Sequence, residues 1–335
     1  MQNRFWTIVI IVLVAPLPIG IWAAGRAAFL WWHGPMDAAA PLELTAAGDP
    51  PTREHAGMIR IAPMRALVGD STSSLADRQP AHEVVLDAYW VDSHAVTNDQ
   101  FALFVAATEY VTTAERRGSS LVFDLERREW LEVDGAMWTA PEGPLSTLAD
   151  RGALPVVHVS WDDAVAYARW AGKRLLTEAE YEVAARGGLM DNVYSWGNQL
   201  DPDSPLANYW QGRFPNKDLA LDGFRGASPV GQFPPNRFGL YDMTGNVWCW
   251  CQDWYAADYY FASPKQNPTG PMSGRARVLR GGSWLSTGGA SSELAVAARG
   301  HAPAYHTASN VGFRCASDRR PVEQVEVAAK SSTTR

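Results

Sequence analysis

Cysteine, charged residues and basic residues are all scarce in this chain of 335 residues. Three cysteines are too few for a disulfide-dense scaffold, and an odd number leaves at least one thiol unpaired within the chain. Charged residues make up 19% of the sequence, and 36 acidic residues outnumber 29 basic ones, so the net charge is -7. A general nucleic-acid-binding protein needs a basic face that displaces counterions from phosphates, and this composition disfavours that class.

Common metal and phosphate motifs are also missing. The seven histidines show neither HxxxH nor HExxH spacing, which excludes the usual helical zinc-binding pattern. Gly281 and Gly282 form too short a glycine run for a phosphate-binding loop. The sequence is rich instead in tryptophan, with 15 residues against 11 phenylalanines and 11 tyrosines. Because these tryptophans lie in short stretches rich in glycine and proline, we expect them to fix irregular loops.

One long uncharged run extends from Phe5 to Gly25. About 20 apolar residues span the hydrocarbon layer of a membrane, while the small residues 23–25 suit a signal-peptide cleavage site. The run therefore predicts a membrane anchor or a cleaved signal segment within residues 1–33. Either alternative places the following chain outside the cytoplasm, in a periplasmic or extracellular space. Residues 34–52 have the composition of a linker, and the polar residues 319–335 predict a flexible tail.

Residues 53–318 contain no internal repeat and are long enough to bury a large core. Three capping boxes predict helix starts, because in each a hydroxyl and a polar side chain three residues later satisfy the first turn. They lie at Thr97–Gln100, Ser160–Asp163 and Thr177–Glu180. Short strand-like runs lie at 83–91, 155–159, 247–250, 278–279 and 311–315. These elements predict one α+β domain with little regular secondary structure, in which His158 is a hydrogen-bonded structural residue.

Residues 187–245 are mostly glycine, proline, asparagine and aspartate with interspersed aromatic residues. A loop of this length inside a domain is typical of either disorder or function, and its aromatic content argues against disorder. We therefore expect bound cations to satisfy part of its backbone.

Several motifs, taken in order, resemble the formylglycine-generating enzyme, or sulfatase-modifying factor, family. They are Thr97-Asn98 with Gln100-Phe101, Pro155 to Ala164, Ala171 to Leu175, Thr177 to Glu180, Asn208 to Gly212, Phe238 to Trp248, Arg280 to Trp284 and Asn310 to Arg314. The motifs cover residues 53–318 in the family's order. The resemblance implies a single domain related to C-type lectins and poor in regular secondary structure.

The resemblance also implies an active site from which this sequence departs. Enzymes of the family oxidise a sulfatase cysteine to formylglycine with molecular oxygen and copper(I), which two thiolates hold. Matched without gaps, those two positions are Ser286 and Ser291, and a neutral hydroxyl is a poor ligand for soft Cu(I). Ser283 and Trp248 are further candidate active-site residues in neighbouring motifs. We therefore expect neither a copper cofactor nor standard formylglycine generation.

Two calcium sites are implied by the resemblance, and the first matches well. The side chains of Asn208 and Asp222 and the carbonyls of Tyr209 and Phe224 correspond to its ligands, and oxygen donors on an irregular loop suit Ca²⁺. The alternative is that Asn208 and Asp222 merely cap turns. The resemblance favours calcium as a cofactor here.

The second implied calcium site has lost a ligand. Its matched residues are Asp242, Gly245 and Val247, but Cys249 replaces the family's glutamate. A thiol serves a hard cation poorly, although Asp242 replaces an asparagine and could restore one carboxylate.

Cys249 and Cys251 are neighbours at i and i+2. In a strand such residues face one side, about 6–7 Å apart, where they could bind a soft metal or act as redox thiols. They could instead be small buried residues in an aromatic layer. Cys315 is expected to be a buried free thiol.

Three functions remain open at this point. The first is an accessory or binding protein that is tethered to the membrane and acts on an exported protein or peptide in the cell envelope. The second is a divergent oxidoreductase that modifies an exported protein or metabolite with Cys249 and Cys251. The third is formylglycine generation on sulfatases with displaced thiols. None of the three involves nucleic acid.

Overall fold

Four α-helices and two short 3-10 helices (Ala76–Arg78 and Tyr259–Phe261) lie within the residues that the computed structural model describes, 57–201 and 203–318. The α-helices are α1 (Asn98–Thr108), α2 (Thr113–Arg117), α3 (Trp161–Trp170) and α4 (Glu178–Arg186). All three predicted capping boxes are confirmed. At the start of α1, the Thr97 hydroxyl accepts from the Gln100 amide at 3.2 Å, and the Gln100 side chain accepts from the Thr97 amide at 3.0 Å. The short helix α2, which has its own capping box at Thr112, was not predicted.

The predicted anchor or signal segment (1–33), linker (34–52) and tail (319–335) lie outside the described residues. The part of the chain that is described contains no helix long and apolar enough to cross a membrane.

Strands within the same described ranges are short, as expected for a domain with little regular structure. They are β1 (Met58–Ile61), β2 (Met64–Val68), β3 (His82–Leu86), β4 (Tyr89–Asp92), β5 (Ser119–Asp124), β6 (Glu129–Asp134), β7 (Arg174–Leu175), β8 (Gly212–Arg213), β9 (Lys217–Asp218), β10 (Trp248–Trp254), β11 (Arg277–Arg280), β12 (Gly300–Ala302), β13 (Val311–Phe313) and β14 (Cys315–Ser317). One four-stranded sheet has the order β1-β4-β14-β7, and another has the order β12-β11-β10-β13. Three hairpins, β2-β3, β5-β6 and β8-β9, complete the pairing.

Strand β10 separates two hydrophobic cores. Trp248 and Trp250 pack into the core formed with α1 and α3, whereas Cys249 and Cys251 pack into the core formed with α4. Successive side chains of a strand point to opposite faces, so the alternation of tryptophan and cysteine assigns large residues to one face and small residues to the other. The small face allows α4, whose nine residues are all buried, to pack closely.

Three strand predictions need correction. Residues 155–159 are not a strand, because His158 has a φ of +59° and so leaves the extended region. The run 83–91 divides into β3 and β4, and the run 311–315 divides into β13 and β14, which belong to different sheets. Two of these three runs therefore contain strands, but none of the three shows where the chain changes direction.

Candidate functional site

The predicted motifs meet around Asn246. Its amide donates to the Asn208 carbonyl at 2.8 Å, and its carbonyl accepts from the Trp284 amide at 2.9 Å. Its side chain accepts from the amide of Ser228 at 3.0 Å and donates to the Ser228 carbonyl at 3.1 Å. One buried asparagine thus joins the 187–245 loop to the segment that carries the serines.

The close approach of two backbones at this junction requires glycine at position 245. Its φ is +87°, and a Cβ at this position would lie 2.3 Å from the Asn208 carbonyl oxygen. Because any side chain would meet fixed backbone, only glycine lets the two segments approach this closely.

Three of the candidate active-site residues, Trp248, Ser283 and Ser286, are linked through Asn310 by hydrogen bonds. The Trp248 amide donates to the Asn310 carbonyl at 2.9 Å, and the Asn310 side chain donates to the Ser283 hydroxyl at 3.0 Å. The Ser283 amide donates in turn to the Ser286 hydroxyl at 3.0 Å. Residues that lie far apart in the sequence therefore meet in one buried hydrogen-bonded chain.

Ser286 and Ser291 lie in different environments. Ser286 is 1% exposed, and its hydroxyl donates to the Glu293 carboxylate at 3.1 Å. Ser291 is exposed, and its carbonyl accepts from the guanidinium of Arg78 at 3.3 Å. The Ser286 hydroxyl therefore has both a donor and an acceptor partner within the protein.

Cys249 and Cys251 are buried on the α4 side of β10, and both thiols are free. Cys249 donates weakly to the Val247 carbonyl at 3.8 Å, and Cys251 donates weakly to the Cys249 carbonyl at 3.9 Å. Burial raises the pKa of both thiols. Since the thiolate is the nucleophile and the metal ligand, these surroundings favour a packing role. Cys315 is likewise free and buried.

The first predicted calcium set brings oxygen atoms together. The Gln211 side-chain amide donates to both the Tyr209 carbonyl and the Asp222 carboxylate, the latter at 2.7 Å. Two oxygens that accept from one donor lie within about 6 Å of each other. Ligands on opposite sides of a calcium ion lie about 5 Å apart, so the two spacings are comparable. The Asp222 carboxylate also accepts from the amides of Tyr209, at 3.1 Å, and Phe224, at 2.9 Å.

Electrostatics at Asp222 also suit a cation. Burial raises the pKa of Asp222, the negative charge of Asp218 raises it further, and hydrogen bonds from Gln211, Phe224 and Tyr209 offset part of the rise. A nearby cation would relieve this cost of ionisation. Asn208, the remaining member, is 2% exposed and donates to the Gly226 carbonyl at 2.8 Å. Oxygen atoms of Tyr209 and Asp222 are of the kind that calcium prefers, and the four-ligand calcium site stays a prediction.

The second predicted set fits less well. The Asp242 carboxylate already accepts from the Gly231 amide at 2.8 Å, and burial raises its pKa. The Val247 carbonyl faces the Cys249 thiol rather than a carboxylate. Within the described residues, no group of three or more His, Cys, Asp or Glu side chains could hold a metal.

Sequence reasoning missed three residues that shape the site, namely Arg78, Gln211 and Glu293. Arg78 lies more than 200 positions from the segment that it binds, and the sequence gives no signal for such a pairing. Glu293 carries a weak signal, since it is a carboxylate only seven positions from Ser286.

Comparisons with known proteins agree with this architecture. A sulfatase-modifying factor enzyme 1-like domain matches residues 45–319. A formylglycine-generating enzyme of Streptomyces coelicolor is 45% identical over 304 residues, which cover 84% of this chain and 97% of that protein.

Two other relatives extend the comparison. A mouse (Mus musculus) protein named inactive C-alpha-formylglycine-generating enzyme 2 is 41% identical over 304 residues, covering 85% of this chain and 91% of the relative. The structure of Treponema denticola variable protein 1 superposes with a TM-score of 0.58 at 26% identity, covering 78% of this chain and 95% of that one. The domain match and the identities together show that this chain belongs to the sulfatase-modifying factor family.

Proposed function

We propose that this chain retains the fold of the formylglycine-generating enzymes, does not carry out copper-dependent cysteine oxidation, and acts as a binding protein for an exported peptide or protein. The observation that carries the proposal is Ser286, whose buried hydroxyl donates to Glu293. A hydroxyl is neutral at pH 7 and hard, whereas Cu(I) selects thiolates. The residues present therefore do not fit copper.

The chain's own cysteines do not compensate for the serines. Cys249 and Cys251 lie in the α4 core, where burial keeps them as thiols. This placement argues against both the displaced-thiol alternative and the divergent oxidoreductase that would use them. The mouse relative whose name describes it as inactive supports the idea that this fold persists in proteins without the oxidation.

An aromatic surface beside the serine segment supports a binding role. Its rings belong to Phe123, Trp130, Trp210, Phe214 and Trp284. Phe123 contacts the other four rings at centroid distances of 5.5–6.3 Å, while Trp130 is 42% exposed and Phe214 is 40% exposed. Exposed aromatic rings are favoured contacts in protein recognition.

A bound calcium ion would stabilise the 187–245 loop, which borders the aromatic surface. Asn208, Asp222 and the carbonyls of Tyr209 and Phe224 would hold the ion, which would fix the loop that also carries Trp210. The cation would offset the burial of Asp222 and the nearby charge of Asp218.

The partner would be met outside the cytoplasm, close to a membrane. This part of the proposal rests on the uncharged run from Phe5 to Gly25. Reporter fusions after Arg335 test it: an alkaline phosphatase fusion is expected to be active, and activity only from a cytoplasmic reporter would contradict it.

A binding assay tests the functional proposal. A fluorescent peptide that carries the cysteine segment of a sulfatase is titrated with the full chain, and the recovered peptide is weighed by mass spectrometry. We expect saturable binding that W130A/F214A weakens at least tenfold, with the peptide mass unchanged. L145A is a matched control, because Leu145 is fully exposed and lies outside the aromatic surface. Absence of binding, or equal binding by all variants, would contradict the binding role.

A further inference from the structure

We infer that Glu293 is a third determinant, beside Ser286 and Ser291, that excludes copper from this site, because it requires a proton-bearing side chain at position 286. The inference rests on the proposed function. It predicts that the two serines do not by themselves account for the loss of a thiolate site.

Position 286 must both accept and donate a hydrogen bond. The Ser286 oxygen accepts from the Ser283 amide at 3.0 Å, and its proton goes to the Glu293 carboxylate at 3.1 Å. A hydroxyl performs both roles, whereas a thiolate has no proton to give. The geometry at 286 is therefore built around a neutral side chain.

A thiolate at this position would also face a like charge. At about 3 Å from a carboxylate, the charged form of a thiol is disfavoured, and the loss of charge weakens a soft ligand. Glu293 is exposed to solvent, which screens this repulsion, but its carboxylate is in direct contact with the Ser286 hydroxyl at 3.1 Å.

Backbone contacts fix the segment that carries Glu293. A Cβ on Gly282 would lie 2.7 Å from the Glu293 carbonyl oxygen, so the two backbones are in close contact. The preceding residues are also fixed, because Arg78, which is 4% exposed, donates to three consecutive carbonyls of this segment. They belong to Ala290 at 3.2 Å, Ser291 at 3.3 Å and Ser292 at 3.0 Å. The backbone that carries Glu293 is therefore fixed next to position 286.

Copper(I) affinity tests the inference without relying on catalysis. The full chain is prepared as S286C/S291C, as S286C/S291C/E293Q, and as S286C/S291C/E126Q, in which an exposed glutamate is neutralised as a matched control. Each is titrated with Cu(I) in competition with a chromophoric chelator under anaerobic conditions. We expect E293Q to tighten Cu(I) binding at least tenfold relative to S286C/S291C, and E126Q to change it less than twofold.

Equal Cu(I) affinity of all three variants would overturn the inference, as would an equal gain from E126Q and E293Q. Thermal melting of each variant verifies folding, and E293S repeats the test if E293Q unfolds. The outcome is separate from that of the proposed function, which would fail if the unmodified chain oxidised the peptide, whatever the variants bind.

Discussion

Replacing Arg280 by methionine tests the buried ion network that joins α4 to the β10-β11 sheet. Arg280 is 0% exposed, and its guanidinium contacts Glu178 at 3.0 Å, Glu182 at 2.6 Å and the Val296 carbonyl at 2.7 Å. Hydrogen bonds to charged groups contribute about 1.5–3 kcal/mol each, and breaking a buried pair costs about 3–5 kcal/mol.

Glu178 and Glu182 keep other partners, so we expect the cost of R280M at the lower end of the range of about 3–5 kcal/mol for a broken buried pair. Glu178 keeps Arg299 at 2.7 Å, and Glu182 keeps Arg186 at 2.7 Å, so neither carboxylate is left alone. We therefore expect the free energy of unfolding to fall by about 3 kcal/mol, a large fraction of the roughly 5–15 kcal/mol of a typical domain.

Urea denaturation followed by tryptophan fluorescence measures this loss. The matched control is R65M, because Arg65 is 75% exposed and lies 3.7 Å from Glu83, and such pairs contribute about 0–1 kcal/mol. If R280M lost less than about 1 kcal/mol, or no more than R65M, the reasoning about buried charge would be refuted.

Three further predictions follow from the same structure. The ring nitrogens of His158 form hydrogen bonds with the Ser120 hydroxyl and the Pro141 carbonyl, and burial lowers the pKa of His158 to about 4. Because the unfolded state binds the proton first, the contribution of the neutral ring to stability is complete above about pH 6.5 and is lost as the pH falls towards 4. Relative to H158N, the wild type should therefore lose about 1.4 kcal/mol more unfolding free energy between pH 7.5 and 5.5, and an equal loss in both would contradict this. G245A should destabilise the chain by at least about 1–3 kcal/mol through backbone strain, whereas G226A, where a Cβ meets no atom within 4 Å, should cost less than half as much in the same denaturation assay. D222N should weaken calcium binding, measured by isothermal titration calorimetry, at least tenfold while D150N does not, and equal affinities would refute the calcium site.

The helix starts could be predicted because capping is local. Thr97, Ser160 and Thr177 each meet a partner three residues away, so the sequence contains the whole interaction. The alternation in Trp248 to Cys251 likewise predicted that both cysteines face one side, and both pack into the core with α4.

Long-range contacts could not be predicted in this way. The left-handed backbone of His158 depends on partners at Ser120 and Pro141, so its apolar neighbours wrongly indicated a strand. Arg78 binds backbone carbonyls, which every residue possesses and no sequence pattern marks. The serine positions came from resemblance to a family, whereas the role of Glu293 required the folded geometry.

Mass spectrometry of a cysteine-containing sulfatase peptide tests the central claim most directly. The peptide is incubated with the full chain, Cu(I), a thiol reductant and oxygen, and an active formylglycine-generating enzyme serves as the positive control. The absence of two thiolates at positions 286 and 291 predicts no formylglycine above the level of copper alone. Catalytic turnover by the unmodified chain would contradict it.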